Sequence, residues 1–162
     1  MGSSMIKNEF IKQYAHTWRV FERLVKDFDS GAWLHTGRGA ITPARLSFHI
    51  LQSVKYYLED ASTIILPSGK SFENNWVSVV EEDLPTQDDI VASIYEMQAK
   101  SEKWLSEIDY NAENCSFKWA GETKLGVVIF LLCHTLYHLG ELSSLLNESK
   151  DGDVEDHYVN AV

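Results

Sequence analysis

The sequence predicts an all-α protein, a four-helix bundle formed by a single domain that covers residues 1–162. Three features support this fold class. Four segments carry apolar residues at helical spacing, no segment has a convincing alternating strand pattern, and a long connection separates the second segment from the third. Because a short loop would force two neighbouring helices into a hairpin, this long connection permits a non-sequential helix arrangement.

The first helix is predicted over residues 6–28, with lysine, glutamate and arginine on its polar side. It stops at Ser30 and Gly31, and a glycine-bearing loop follows through Gly37 and Gly39. The apolar stripe consists of Ile6, Phe10, Tyr14, Trp18, Phe21, Leu24, Val25 and Phe28.

The second helix opens at Thr42, which is an N-cap residue type, followed by Pro43 at the first helical position. It is predicted to extend to about Ala61. The connection over residues 62–85 has no sustained period, and we expect a turn of helix within it near residues 76–80.

The third helix begins at a sequence that resembles a capping box, with Thr86 as the cap and Asp89 three residues later, and it extends to about Ile108. A polar loop over residues 109–122 follows, with a short extended piece expected at residues 117–119.

The fourth helix is predicted from Thr123 to about Asn147, and its apolar composition on several sides predicts a largely buried helix. Cys133 lies within it and is expected to be a buried filler. The acidic tail over residues 149–162 is expected to be a weakly held terminus. Residues 1–4 have the composition of a short vector remnant.

The formal net charge of −10 argues against a nucleic acid or an anionic membrane as a partner, because both require clusters of lysine and arginine. The sequence has no apolar signal core, no disulfide framework and no predicted transmembrane segment. We therefore expect a cytoplasmic protein that acts on a small molecule, without a nucleic-acid or membrane partner.

The fourth helix places His134 and His138 four residues apart, so that the two imidazoles share one face. Glu141 follows on the same stripe, which is otherwise aliphatic. A buried imidazole needs a hydrogen bond or a metal ion, and two adjacent imidazoles favour a metal. Glu141 has four open roles: orienting an imidazole, which we favour, or serving as a fourth ligand, as a general base, or as a surface residue.

His49 in the second helix is the candidate third ligand, because it lies at the edge of that helix's aliphatic face. If the second and fourth helices pack side by side, His49 meets His134 and His138. Three neutral imidazoles suit Zn, Ni, Cu or Fe and leave an open coordination position. The alternative is that each is an ordinary hydrogen-bonded histidine of the core edge.

Two segments, LSFHILQS around His49 and HTLYHLGEL from His134, resemble the DinB/YfiT-like metalloenzyme family. The resemblance extends from the first helix to about Asn147. It implies an up-down-down-up four-helix bundle, often a homodimer, in which His49, His134 and His138 bind a divalent metal, commonly Ni or Zn. It also implies use of a low-molecular-weight thiol such as bacillithiol or mycothiol.

The leading functional hypothesis is therefore a metal-dependent thiol S-transferase that acts on a small electrophile in detoxification or stress. The alternatives are a metal-dependent hydrolase with Glu141 as base, and a stress-related dimer that binds a metal or a small ligand without turnover. Arg38 and Arg45 are candidates to hold an anionic thiol cofactor, and Tyr56, on the stripe of His49, is a further candidate for the cofactor site.

Overall fold

The computed structural model describes residues 2–38, 41–60, 63–71 and 76–161. Within these ranges the prediction of an all-α protein is confirmed, since 69% of the chain is helical and no strand is present. The six α-helices are α1 (Gly2–Asp27), α2 (Ser30–His35), α3 (Pro43–Glu59), α4 (Gln87–Glu107), α5 (Lys124–Ser149) and α6 (His157–Asn160). Short 3-10 helices lie at Glu81–Asp83 and Lys118–Ala120.

The four long helices pack in a closed order around one core. Helix α1 packs against α4 and α5, and α3 packs against the same two helices. Side chains from α1, α3, α4 and α5 meet in this core because each long helix has an apolar stripe, and burying these stripes against one another removes them from water. The largest fully buried side chains include Phe21, Phe48, Leu46, Ile50, Ile90, Ile94, Leu131 and Leu142.

The start signals of α3 and α4 have different structural outcomes. Thr86 and Asp89 form the predicted capping box, in which the Asp89 backbone N–H donates to Thr86 Oγ1 at 3.1 Å. Helix α3 begins at Pro43 as predicted, but the Thr42 side chain makes no capping hydrogen bond. Its hydroxyl oxygen instead accepts from the Arg45 guanidinium at 3.4 Å. Residue 61, the predicted end of this helix, lies outside the described residues.

The loop predicted after the first helix contains the short helix α2, so that part of the prediction was wrong. Asp29 caps α2 by accepting the Ala32 backbone N–H at 3.0 Å. Trp33 is buried, and its indole Nε1 donates to the Pro85 carbonyl at 2.9 Å. The Asp29 cap and the buried Trp33 therefore stabilise a helix in a segment that was predicted to be a loop because of its glycines. Gly39 lies outside the described residues.

The extended piece predicted at residues 117–119 is instead the 3-10 helix Lys118–Ala120. The buried side chain of Asn114 holds this turn, because its Nδ2 donates to the carbonyls of Phe117 and Gly121 while its Oδ1 accepts from the Phe117 N–H at 2.9 Å. In the long connection, residues 76–78 form a turn and the helical piece comes at Glu81–Asp83, just beyond the predicted 76–80.

The acidic tail is packed against α1 rather than weakly held. Asp27 contacts both Lys150 Nζ at 2.5 Å and Nε2 of the buried His157 at 3.1 Å. Arg19 Nε donates to the Ala161 carbonyl at 2.8 Å. The prediction missed this because the partners of the tail lie on the first helix, far away in the sequence.

Helix α5 is less buried than predicted. Cys133 is exposed, as are Ile129 at 46% and Tyr137 at 66%, so the expectation of a buried cysteine was wrong. Among the described helices, α5 alone has the length and apolar composition to cross a membrane, and a third of its most apolar window is buried. A core helix passes the same test, and α5 packs against α1 and α3.

Candidate metal centre

His134 and His138 lie one turn apart on α5, and their rings face one point. The two Nε2 atoms are 3.2 Å apart, with ring centroids separated by 4.5 Å. Two nitrogens bound to one tetrahedral zinc at about 2.0–2.1 Å are about 3.3 Å apart. The spacing of this pair therefore fits two ligands of a single ion.

His49 reaches the pair from α3. Its ring centroid lies 4.8 Å from that of His138 and 5.8 Å from that of His134. One nitrogen from each of the three side chains lies within 4.8 Å of the others. The packing of α3 against α5 thus brings together the three histidines that the sequence singled out.

The local electrostatics keep two of these imidazoles, those of His49 and His134, neutral. Burial, followed by the nearby His138 and His134, lowers the pKa of His49 from 6.5 to about 4. Burial and the neighbouring His138 also lower the pKa of His134. Since a metal ion binds the deprotonated imidazole, neutral rings at physiological pH are in the form that a divalent cation requires.

Two ring nitrogens in this cluster are buried without a hydrogen bond. Nδ1 of His49 and Nδ1 of His134 both lack a partner within the described part of the chain. An unsatisfied buried polar atom costs about 1–3 kcal/mol, and native structures contain few of them. For His49 an unpaired ring nitrogen is compatible with a ligand from outside the chain, whereas Nδ1 of His134 lies on the far side of its ring from the Nε2 that faces His138.

Glu141 is placed to orient one of the candidate ligands. Its Oε2 lies 2.7 Å from Nδ1 of His138, one turn further along α5. A carboxylate at this position fixes the ring orientation and favours the tautomer in which Nε2 carries no proton. This contact is compatible with the first of the roles that the sequence left open, and the role itself stays a prediction.

Two aromatic side chains flank the histidines, and sequence reasoning missed both in this role. Trp76 stacks on His49 with ring centroids 4.6 Å apart at 24°, and Phe130 stacks on His134 at 6.1 Å and 18°. For Phe130 a signal was present, because it precedes His134 by four residues on one helix. Trp76 lies in the long connection, where no periodic pattern indicates its position.

An aromatic cluster continues from Phe130 along the seam between α3 and α5. Tyr57 lies 5.7 Å from Phe130, and Tyr56 lies 5.3 Å from the buried Phe117. Trp119 Nε1 donates to the Tyr57 hydroxyl at 2.8 Å. Tyr56, the predicted cofactor residue on α3, thus belongs to this aromatic cluster beside the histidines.

The two arginines predicted to hold an anionic cofactor have different surroundings. Arg45 donates from Nη2 to the Val79 carbonyl at 2.6 Å, so it ties the long connection to α3. Arg38 is exposed after α2, and its carbonyl accepts the Ile41 N–H at 3.3 Å. Their role toward a cofactor stays a prediction.

No model of a known protein family matches the chain, and no curated protein or solved structure is significantly similar to it. The resemblance to the DinB/YfiT-like family therefore stays a prediction that rests on the segments around His49 and His134.

Proposed function

We propose that His49, His134 and His138 bind a divalent metal ion, Zn or Ni, and that the protein is a thiol-dependent S-transferase acting on a small electrophile. The observation that supports this proposal most directly is the approach of three imidazoles to within 4.8 Å, with Glu141 held on the outer nitrogen of His138. Three ligands from the chain leave a coordination position for a small molecule.

The fold proposal that accompanies this function is a DinB-type four-helix bundle with up-down-down-up helix directions. It is supported by the four packing pairs, in which α1 and α3 each contact α4 and α5. In such an arrangement α3 and α5, the second and fourth long helices, are neighbours. Three metal ligands divided between these two helices need this contact.

A bound divalent ion would supply Lewis acidity, which favours the thiolate form of a thiol, and the thiolate is the nucleophile. The chain's own residues complete the environment. Glu141 orients His138, while Trp76 and Phe130 hold the rings of His49 and His134 by stacking. The aromatic cluster next to Phe130 offers an apolar surface for the electrophile.

The placement of Glu141 favours transfer over hydrolysis. Its Oε2 contacts Nδ1 of His138, on the far side of the ring from the Nε2 that faces His134. A general base must lie within hydrogen-bond reach of the proton it removes. A carboxylate bound behind the imidazole is placed to orient it rather than to take a proton from water at the centre.

The first test is metal content. We expect the purified full-length protein to bind about one equivalent of Zn or Ni tightly, and His134→Ala to lose this binding. His35→Ala is the matched control, since the His35 side chain is 62% exposed and pairs with Glu81 on the surface. Equal metal content in the two variants would refute the proposed site.

The second test separates the reaction classes. The metal-loaded protein is incubated with a panel of low-molecular-weight thiols and a model electrophile, and both reactants are followed. Loss of thiol in step with electrophile supports transfer. Turnover that needs no thiol indicates the hydrolase, and metal binding without any turnover across the panel indicates a non-catalytic binding protein.

A further inference from the structure

A cavity of about 570 Å³ lies between α1, α5 and the segment that follows α5. Its walls include Val20 and Leu24 of α1, Leu136 and Gly140 of α5, and residues 154–158. On α5, Leu136 points about half a turn away from His134 and His138 at 100° per residue. The cavity is therefore separate from the candidate metal centre and lies on the opposite side of the same helix.

Gly140 leaves space in the cavity wall without a structural need for glycine. A Cβ added at this position would meet no heavy atom within 4 Å. Glycine inside a helix costs about 0.5–1 kcal/mol relative to alanine. A larger side chain at Gly140 would therefore extend into open space at the cavity wall, so this position can be used to fill the cavity.

The cavity has an apolar floor. Val20, Leu24 and Leu139 line it and are each at most 4% exposed, because the rest of their surface packs into the core. The volume falls within the range of about 300–1,000 Å³ that is common for small-molecule sites. The apolar part of a small molecule could therefore pack against these three side chains.

The rim of the cavity presents hydrogen-bond acceptors. Asn147 Nδ2 donates to the Ser143 carbonyl at 3.0 Å, which leaves the Asn147 amide oxygen to accept. Glu155 and Asp156 contribute carboxylates, which only accept when ionised. Glu155 Oε2 accepts from Asn160 Nδ2 and Asp156 Oδ1 caps α6, so one oxygen of each carboxylate remains for a ligand. His157 adds no free donor, since Nε2 contacts Asp27 and Nδ1 faces the Glu155 carbonyl.

We propose that this cavity binds a small amphiphilic cation, with an alkyl or aryl body on the apolar floor and an ammonium group at Glu155 and Asn147. Charge complementarity supports this occupant: two carboxylates line the cavity, and among the described lining residues there is no lysine or arginine. An anionic amphiphile of the same size would face these carboxylates without a counter-charge.

Octylamine is the probe, with octanoate as the matched anion and octanol as the neutral control. Each is titrated into the full chain with labelled leucine and valine methyl groups, observed by NMR. We expect saturable octylamine shifts at Leu136 and Leu139, and binding of octanoate at least tenfold weaker. Equal binding of the three probes, absence of octylamine shifts, or shifts only around His138 would overturn the proposal.

Glu155→Gln tests the charge, and we expect it to weaken octylamine about fivefold, the scale of one partly exposed ion pair. Gly140→Leu fills the cavity, and we expect it to abolish octylamine binding without lowering the Tm; Gly140→Ala is the milder replacement if the leucine variant folds poorly. Ser144→Leu, on an exposed position of the same helix, is the matched control and should keep binding.

Three results would contradict the proposed occupant even if the variants fold. Binding retained in Gly140→Leu would place octylamine elsewhere. Ligand-free Leu136 signals that shift with protein concentration would indicate that a second copy of the chain covers the cavity. We expect His134→Ala to bind octylamine as tightly as the wild type, because the cavity is independent of the metal centre. Loss of octylamine binding in this variant would also contradict the proposal.

Discussion

Oε2 of Glu141 lies 2.7 Å from Nδ1 of His138, and Nε2 of the same ring lies 3.2 Å from Nε2 of His134. One imidazole thus joins a carboxylate on its outer side to a second imidazole on its inner side. The helical positions 134, 138 and 141 produce this chain of contacts directly, since residues three and four apart are neighbours on a helix.

Glu141→Ala is expected to weaken metal binding by about 10–100-fold, the usual effect of removing a group that orients a ligand. Glu141→Gln should weaken it less, because the amide oxygen can still accept from Nδ1 of His138 while the charge is lost. Competition with a chromogenic chelator measures both affinities. Equal affinities in wild type and Glu141→Ala would contradict the orienting role.

Metal addition is expected to stabilise the fold. At a free metal concentration about a hundredfold above Kd, the free energy of unfolding should rise by about 2.7 kcal/mol. Urea unfolding with and without zinc measures the change. His134→Ala should lose the increase and His35→Ala should keep it; a rise of the same size in both would mean that the metal binds elsewhere.

Acidification is expected to destabilise the metal-free protein through His49. Its folded-state pKa of about 4 lies below the ordinary 6.5, so the unfolded chain binds the proton more readily, and the free energy of unfolding falls as the pH drops from 6.5 towards 4. From pH 7.5 to 5.5 this amounts to about 1 kcal/mol. Denaturation in chelator at these two pH values checks it.

His49→Gln should remove this part of the pH dependence, since glutamine does not titrate in this range. His35→Gln provides the comparison, because it removes an exposed histidine on α2. An unchanged difference between pH 7.5 and 5.5 in His49→Gln would show that another group causes it.

Asp27→Ala is expected to lower the free energy of unfolding by about 1–3 kcal/mol and to release the C-terminal segment. The substitution removes the carboxylate that contacts Lys150 Nζ and leaves the buried His157 Nε2 without its acceptor. Hydrogen exchange of residues 157–161 measures the release. Asp153→Ala, on an exposed position of the same segment, should change neither quantity.

Cys133 is expected to react with a soluble thiol reagent in the native protein at a rate similar to that of Cys115, because both are exposed. Cys115→Ser isolates the Cys133 reaction, and Cys133→Ser isolates the other. If Cys133 reacted only after unfolding, its placement on the exposed face of α5 would be contradicted.

The three histidines were predictable because local geometry determines most of their arrangement. His134, His138 and Glu141 share one face by helical spacing alone, and His49 stood out as a polar residue at the edge of an apolar stripe. The stacking of Trp76 was not predictable, because it depends on how a connection without periodicity folds back onto α3.

Burial on α5 was mispredicted because the helix is apolar on almost all sides. Periodicity then gives no indication of which side faces the core, and Cys133 was placed inside when it lies outside. The docking of the tail depends on Asp27 and His157, a pairing between opposite ends of the chain that no local pattern reports. Local signals therefore predicted the helices and which histidines come together, whereas the exposed and buried sides of α5 depended on the assembled fold.

The division of the three histidines between α3 and α5 has a consequence for how the proposed site forms during synthesis. Among the four long helices described, α5 is synthesised last, and it carries two of the three imidazoles. A nascent chain that stops before α5 has His49 alone, and a single imidazole holds a metal ion weakly. If the proposed metal site forms, loading would follow the synthesis of α5, so that the ion would reach an assembled bundle and would not guide the packing of the earlier helices.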